Sequence, residues 1–298
     1  MRWCGYRITA FMNQRPFFLC RFTALLSAGL LLAAALPVKA QTLYNANLGT
    51  LPEAQGWLFG AIGTKTETFA NNSAFLDTSA STLTEAGWSE ISAADLNRTN
   101  GFTLLFTVQI NSETHVSTNR AGFSVIVLGD DKHGIELGFW ANTVFAQSDS
   151  PLFTHAEDAS FSTTGSFVNY SLTMLATNYV LRANGAPILT GPARNYTAFT
   201  GSPNPYSTPD FIFFGDDTTS ASASVNVRGL TLILPPKLTM PVPGVVAWTG
   251  VSNQTYTVQA STNLTGWNTV GTATSQNNSF LFTNSVPQSN QFFRAAFP

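Results

Sequence analysis

An all-β fold, an antiparallel two-sheet sandwich followed by a small β module, is predicted by three features of this 298-residue sequence. Apolar and polar residues alternate with period two along many short runs, turn-forming residues separate the runs, and no stretch of a dozen residues sustains a helical period.

The clearest run is "GFTLLFTVQI". Phe102, Leu104, Phe106, Val108 and Ile110 share one face, and Thr103, Leu105, Thr107 and Gln109 the other, which makes a strand with a core side. "AGFSVIVLG" (121–129), "GIELGFW" (134–140), "FVNYSLTML" (167–175), "NYVLRA" (178–183), "DFIFFG" (210–215) and "VNVRGLTLIL" (225–234) behave alike, some apolar on both faces as central strands are. Asn184-Gly185, between "NYVLRA" and "APIL", is the signal of a two-residue hairpin. "ISAADLNR" (91–98) is the one expected helical turn. A sandwich of this kind spans 41–235. "PPKLTMPVPG" then brings four prolines and marks a linker at 236–243. Four further runs, "YTVQAST", "WNTVGTA", "SFLFTN" and "QFFRAAF", give the small module at 244–298.

"LNRTNGFTLLFTVQI", "NYVLRANGAPIL" and "FIFFGDDTTSASASVNVRGLTLIL" together resemble the strand order of concanavalin A-like lectin/glucanase jelly rolls. More narrowly, "IELGFW" and "GDDTTSA" are similar to the choice-of-anchor domains of bacterial exported proteins. The tail "YTVQASTNLTGWNTVGTATS…FFRAAF" resembles short fibronectin-III-like modules. The resemblance implies a jelly roll, an extracellular setting and a carbohydrate as partner.

Targeting and charge point the same way. Arg2, Arg7, Arg15 and Arg21 precede the apolar "FTALLSAGLLLAAAL", and Val38 and Ala40 offer a cleavage site before Gln41, so residues 1–40 read as a signal peptide and the protein as secreted or surface-displayed. Cys4 and Cys20, the two cysteines, leave with that segment, so no disulfide is expected. The segment carries five of the 14 Lys+Arg and none of the 16 Asp+Glu, which leaves a formal net charge of −7. That acidity disfavours nucleic acid as a partner, and no apolar run beyond the signal is long enough to span a membrane. Charged residues make up 10% of the chain against about 25% in average soluble proteins, and Phe reaches 24, a balance that suits extracellular β structure.

On a jelly roll, catalytic groups project from the strands. Retaining glycosidases need two carboxylates about 5 Å apart on one face, and no E-x-D-x-E-like spacing occurs. A polysaccharide lyase needs a Tyr or His base beside an Arg or Gln that neutralises the uronate. "GIELGFWANTVFAQ" resembles the corresponding strand of jelly-roll alginate lyases, with Glu136 and Leu137 where a lysine would help. No G-x-S-x-G elbow is present. The expected activity is therefore noncatalytic glycan binding or adhesion, with a purely structural surface protein as the alternative and a lyase or glycosidase as a second. Glu136 and Trp140, four residues apart on one strand face, are spaced about 13 Å, enough for a carboxylate and an aromatic face to hold more than one sugar ring. Gln109, on the polar side of its strand, Arg120, just before "AGFSVIVLG", and His155, in the aromatic "SPLFTHAED", complete the candidate ligand-binding set. Asp130-Asp131 and Asp216-Asp217, at strand ends, are candidate oxygen ligands for a structural Ca²⁺.

Overall fold

The computed structural model describes residues 40–91, 96–234, 238–249, 255–276, 279–284 and 291–296. The expected signal up to residue 39 with both cysteines, the centre of the 91–98 turn and residues 235–237 lie outside the described residues. Strands β1 (Ala40–Asn45), β2 (Leu58–Ile62), β3 (Thr66–Ala70), β4 (Ser73–Asp77), β5 (Glu85–Glu90), β6 (Phe102–His115) and β7 (Ser124–Leu128) come first. There follow β8 (Gly134–Phe139), β9 (Thr143–Asp149), β10 (Leu152–Ser160), β11 (Val168–Leu175), β12 (Asn178–Ala183), β13 (Ala186–Pro192), β14 (Phe211–Asp216) and β15 (Ala221–Ile233). The last six are β16 (Thr239–Val242), β17 (Val245–Thr249), β18 (Thr255–Ser261), β19 (Asn268–Thr274), β20 (Ser279–Thr283) and β21 (Phe292–Ala296).

The first fifteen strands make an antiparallel jelly-roll sandwich. One sheet runs β13-β12-β11-β6-β15-β4-β3, with β1 also pairing β15, and the other runs β10-β9-β8-β7-β14-β5-β2. The chain changes sheets between β1 and β2, β2 and β3, β4 and β5, β5 and β6, β6 and β7, β10 and β11, β13 and β14, and β14 and β15. Period-two alternation decides what fills the gap between them. Leu104, Phe106 and Val108 of β6 meet Val125 and Val127 of β7, Leu137 and Phe139 of β8, and Phe214 of β14 in one buried cluster. Phe106 is its hub, 5.0 Å from the Tyr170 ring and 5.3 Å from Phe214. Each such side chain contributes about 1.5–3 kcal/mol by burial. The Asn184-Gly185 hairpin joins β12 to β13 with φ of 49° and 87°, the positive pair that a two-residue type I′ turn requires.

Strands β16 to β21 form two three-stranded sheets, β16-β17-β20 and β19-β18-β21, around Val246, Trp248, Tyr256, Val258 and Phe280. The stretch expected as a linker thus contains strand β16, which the four prolines concealed. Pro241 is tolerated there because β16 is an edge strand. Among the described residues no helix is long and apolar enough to cross a membrane.

Candidate functional site

The outward face of the seven-stranded sheet is where the unusual chemistry collects. Pairing aligns Gly60, Gly87, Gly215, Ser124, Gly138 and Phe145 in one row across β2, β5, β14, β7, β8 and β9. The missing side chains let rings lie flat on the sheet. A Cβ on Gly138 would sit 2.3 Å from the Phe145 ring, and one on Gly87 2.5 Å from the Phe213 ring. The adjacent row holds Ser89, Phe213, Ile126 and Glu136, with Gln147 beside Glu136 by alternation from the Gly138–Phe145 pair and His155 opposite Gln147.

The segment between β13 and β14 folds over this row. Arg194 anchors it, exchanging backbone hydrogen bonds with Gly134 at 2.7 and 2.9 Å and donating to Glu157 at 2.7 Å. Tyr196, Tyr206 and Phe199 then pack with Phe153, Ile126, Leu128 and Phe211 into a second apolar cluster. Tyr196 goes further. Its hydroxyl accepts from the Glu136 N–H at 3.2 Å and donates to the Gln147 carbonyl at 2.7 Å, taking the place of a ladder bond between β8 and β9.

Beneath this cover lies a buried polar group. Glu136 has 0% side-chain exposure; Tyr206 donates to its Oε2, and Arg120 Nη1 stands 3.1 Å from its Oε1 without hydrogen-bond alignment. Arg120 Nη2 donates to Asp217 at 2.8 Å, and the guanidinium lies 4.8 Å from the Phe153 ring centre. Gln147 donates to the Asn119 carbonyl at 2.7 Å. The Glu136 carboxyl is pushed up to about 8, chiefly by burial, with the Asp217 carboxylate adding to the rise and Arg120 opposing it. Burial opposes the charge on Arg120, but Asp217 and Glu136 more than offset that and raise its pKa. Burial lowers His155 and raises Tyr206, the latter also through Glu136. Of the eight buried side-chain polar atoms without a hydrogen-bond partner among the described residues, five belong to Arg120, Glu136, Gln147, His155 and Asp217. Three of these groups face one another: Arg120 Nη1 lies in an ion pair with Glu136 Oε1, and the Glu136 carboxyl lies against Asp217.

Next to this group opens a cleft of about 820 Å³. Gly60, Ala61 and Gly87, the rings of Phe153, Phe199, Tyr206 and Phe213, and the charged groups of Glu85, Arg120, Asp216 and Asp217 are among the residues that line it. Asp216 is buried, pushed up to about 9 by desolvation against the Thr78 hydroxyl that donates to it at 2.6 Å.

The structure brings Arg120 and Glu136 together, sets Trp140 and His155 alongside, and separates Gln109. Gln109 belongs to β6 in the other sheet, opposite Asn226, on the side away from this face. Glu136 and Trp140 do not form the open pair that their spacing suggested. Glu136 is sealed by Tyr196 and Tyr206, and the Trp140 ring is covered by His115 stacked at 4.0 Å, with His155 at 4.7 Å and Phe145 at 5.0 Å. Its indole N–H donates to the Arg120 carbonyl at 2.8 Å. Of the candidate Ca²⁺ ligands, Asp130 accepts from Asn97 at 2.9 Å, Asp131 pairs with Arg98, Asp216 accepts from Thr78 and Asp217 pairs with Arg120. Among the described residues no three His, Cys, Asp or Glu side chains converge as metal donors. Gln147, Tyr196 and Tyr206 were missed. Gln147 shares the face of Phe145 by alternation and could have been found; the two tyrosines sit in the irregular "RNYTAFTGSPNPYSTPD", where only their large size within a polar loop hinted at burial.

No family model matches the sequence, and no curated protein matches it. Among solved structures, a carbohydrate esterase from the Shiga toxin-encoding bacteriophage phi24B is 12% identical over 65% of this chain and 99% of its own, with a TM-score of 0.46. A Bacillus subtilis protein with a galectin-like fold is 10% identical over 66% and 98%, with a TM-score of 0.43. The carbohydrate recognition domain of Emp46p is 11% identical over 66% and 98%, with a TM-score of 0.42. The jelly-roll assignment rests on the strand order and register themselves.

Proposed function

We propose that this is an exported carbohydrate-binding protein that holds glycan in the cleft over its seven-stranded sheet, acting by adhesion and not by turnover. The observation that carries the reading is the cleft, lined by the partly exposed rings of Phe153, Phe199 and Phe213 beside carboxylates and the Asn204 amide, with the Phe213 ring lying over Gly87 of the sheet. Aromatic faces stack on sugar C–H groups, and carboxylates accept hydroxyl donors. Binding is favoured over hydrolysis because Glu136, the most buried carboxyl, lies behind Tyr206, and Asp217 is engaged by Arg120. In this reading residues 1–40 are the export signal and the C-terminal strands a fibronectin-III-like spacer. A glycan array probed with residues 41–298, with and without Ca²⁺, tests it, with Phe199→Ala as the cleft variant. Retention of a glycan that Phe199→Ala abolishes supports the proposal, and an array without any retained glycan removes it.

A further inference from the structure

The two ends of the sandwich are finished differently. Where β10 and β13 lie, the sheets are tied to each other: the Tyr179 hydroxyl of β12 donates to Glu157 of β10 at 3.0 Å, and Arg194, just past β13, donates to the same carboxylate at 2.7 Å. At the opposite end both sheets stop at an open border, one at β2 and the other at β3. Among the described residues no strand pairs the free side of β2. Its five residues, Leu58, Phe59, Gly60, Ala61 and Ile62, include no charge and no proline. All except Phe59 are exposed, Leu58 by 58% and Ile62 by 57%. Phe59 turns inward onto Trp88, with 5.9 Å between the rings. β3 presents Thr66, Thr68 and Ala70 at its surface, while Glu67 accepts the Trp88 indole N–H at 2.7 Å. A border with free backbone groups and apolar side chains is a template for a further strand.

The residues of β2 determine which strand fits. Leu58, Gly60 and Ile62 stand on the outward face, opposite Ser89, Gly87 and Glu85 of β5. Let β2 pair antiparallel with β2 of a second copy, centred on Gly60. Leu58 then lies opposite Ile62 of the second copy, and Ile62 opposite its Leu58, so each exposed apolar side chain meets another. The residue on the axis is the one without a side chain, and nothing stands within 4 Å of where its Cβ would be. A foreign strand would need apolar residues at both positions; this chain supplies them to itself.

We propose that the protein associates through β2 as a twofold dimer with a second copy of this chain, joining two seven-stranded sheets into one. Twofold pairing consumes the β2 border of both copies and leaves only their tied ends outermost, so assembly closes at two. Gly60, Ala61 and Ile62 also line the cleft, so Leu58 of the second copy comes to stand beside it, and the two clefts open on the same side of the joined sheet. Stable dimers bury about 1,200–2,000 Å². A five-residue strand pair with the β3 border beside it falls at the low end of that range, which makes the dimer reversible.

Sedimentation of residues 41–298 from about 1 μM to 1 mM tests it, with a reversible monomer–dimer equilibrium expected. Leu58→Lys/Ile62→Lys places like charges opposite one another and should weaken association by about a hundredfold; Leu58→Lys/Ile62→Glu places opposite charges there and should stay within about tenfold of the parent. Both positions are exposed, so the melting temperature should not move. Hydrogen exchange of the parent, which needs no variant, should slow at residues 58–62 as the concentration rises. A parent that stays monomeric throughout, association that continues past two, a dimer that both double variants spare or both abolish, or exchange at 58–62 that ignores concentration overturns the proposal.

Discussion

The Tyr196 hydroxyl accepts the Glu136 N–H at 3.2 Å and so stands inside the β8–β9 ladder as if it were a backbone group. One side chain therefore fastens a long surface segment to the sheet it covers. Tyr196→Phe leaves the Glu136 N–H and the Gln147 carbonyl without that partner, a loss expected to cost about 1–3 kcal/mol. Tyr170→Phe is the control, because the Tyr170 hydroxyl is buried with no partner among the described residues and its removal should be neutral within about 0.5 kcal/mol. Urea unfolding of both variants checks the contrast, and equal midpoints would show that Tyr196 does not hold the ladder.

Stability should fall as the solution turns alkaline. Burial raises Glu67 to about 7, with its neighbour Glu53 adding to it, Glu136 to about 8 and Asp216 to about 9. Their folded values lie above the unfolded ones near about 4, so the stability they contribute is complete below that pH and is lost progressively from there until the pH passes about 7 for Glu67, 8 for Glu136 and 9 for Asp216. Glu136→Gln, which imitates the protonated carboxyl, should match the parent near pH 4 and exceed it by a margin that grows up to about pH 8. Chemical denaturation across this window reads the effect, and parallel curves for parent and variant would contradict it.

Leu137 and Trp140 should separate along a different line. Leu137 is wholly buried in the sandwich core, and Leu137→Ala is expected to cost about 2–5 kcal/mol. Trp140 is half-buried and covered by His115, so Trp140→Ala should cost about 2–4 kcal/mol through lost packing while glycan affinity per folded molecule is unchanged. A selective loss of binding with intact stability would return Trp140 to the binding surface.

Gly138→Ala should cost about 1–3 kcal/mol, because the added methyl meets the Phe145 ring. Combining it with Phe145→Leu should recover part of that loss, a coupling that a double-mutant cycle measures directly. Strict additivity would mean that the ring does not rest on the glycine.

A chain ending at residue 234 should unfold in one cooperative step, since the sandwich cluster draws its members from Leu43 to Leu234 and the C-terminal cluster from Leu238 onward. Thermal melts of the shortened chain test it; a broad, non-cooperative melt would show that strands β16–β21 complete the sandwich core.

Alternation made the sandwich legible, since Phe102 to Ile110 and Ile135 to Phe139 each show which side is buried. It could not show that the other side of β8 is buried too. Glu136 looks like an exposed strand residue because its cover comes from Tyr196 and Tyr206, sixty and seventy positions later, in a segment without period. Arg120 and Asp217 were legible as polar residues beside strands, yet their pairing depends on two distant connections meeting over one sheet. The same locality hid β16, where prolines that signal a linker turn out to occupy an edge.

Edges also govern how this chain behaves beside copies of itself. β13, the border of one sheet, carries Pro187 and Pro192, β16 carries Pro241, and β10, the border of the other large sheet, is bent by two register shifts and bears Glu157 and Asp158. A strand from a neighbouring molecule that tried to extend a sheet at any of these borders would meet missing donors, a broken register or negative charge. At the β13, β16 and β10 borders, therefore, the sheets resist extension by a neighbouring copy even at high local concentration.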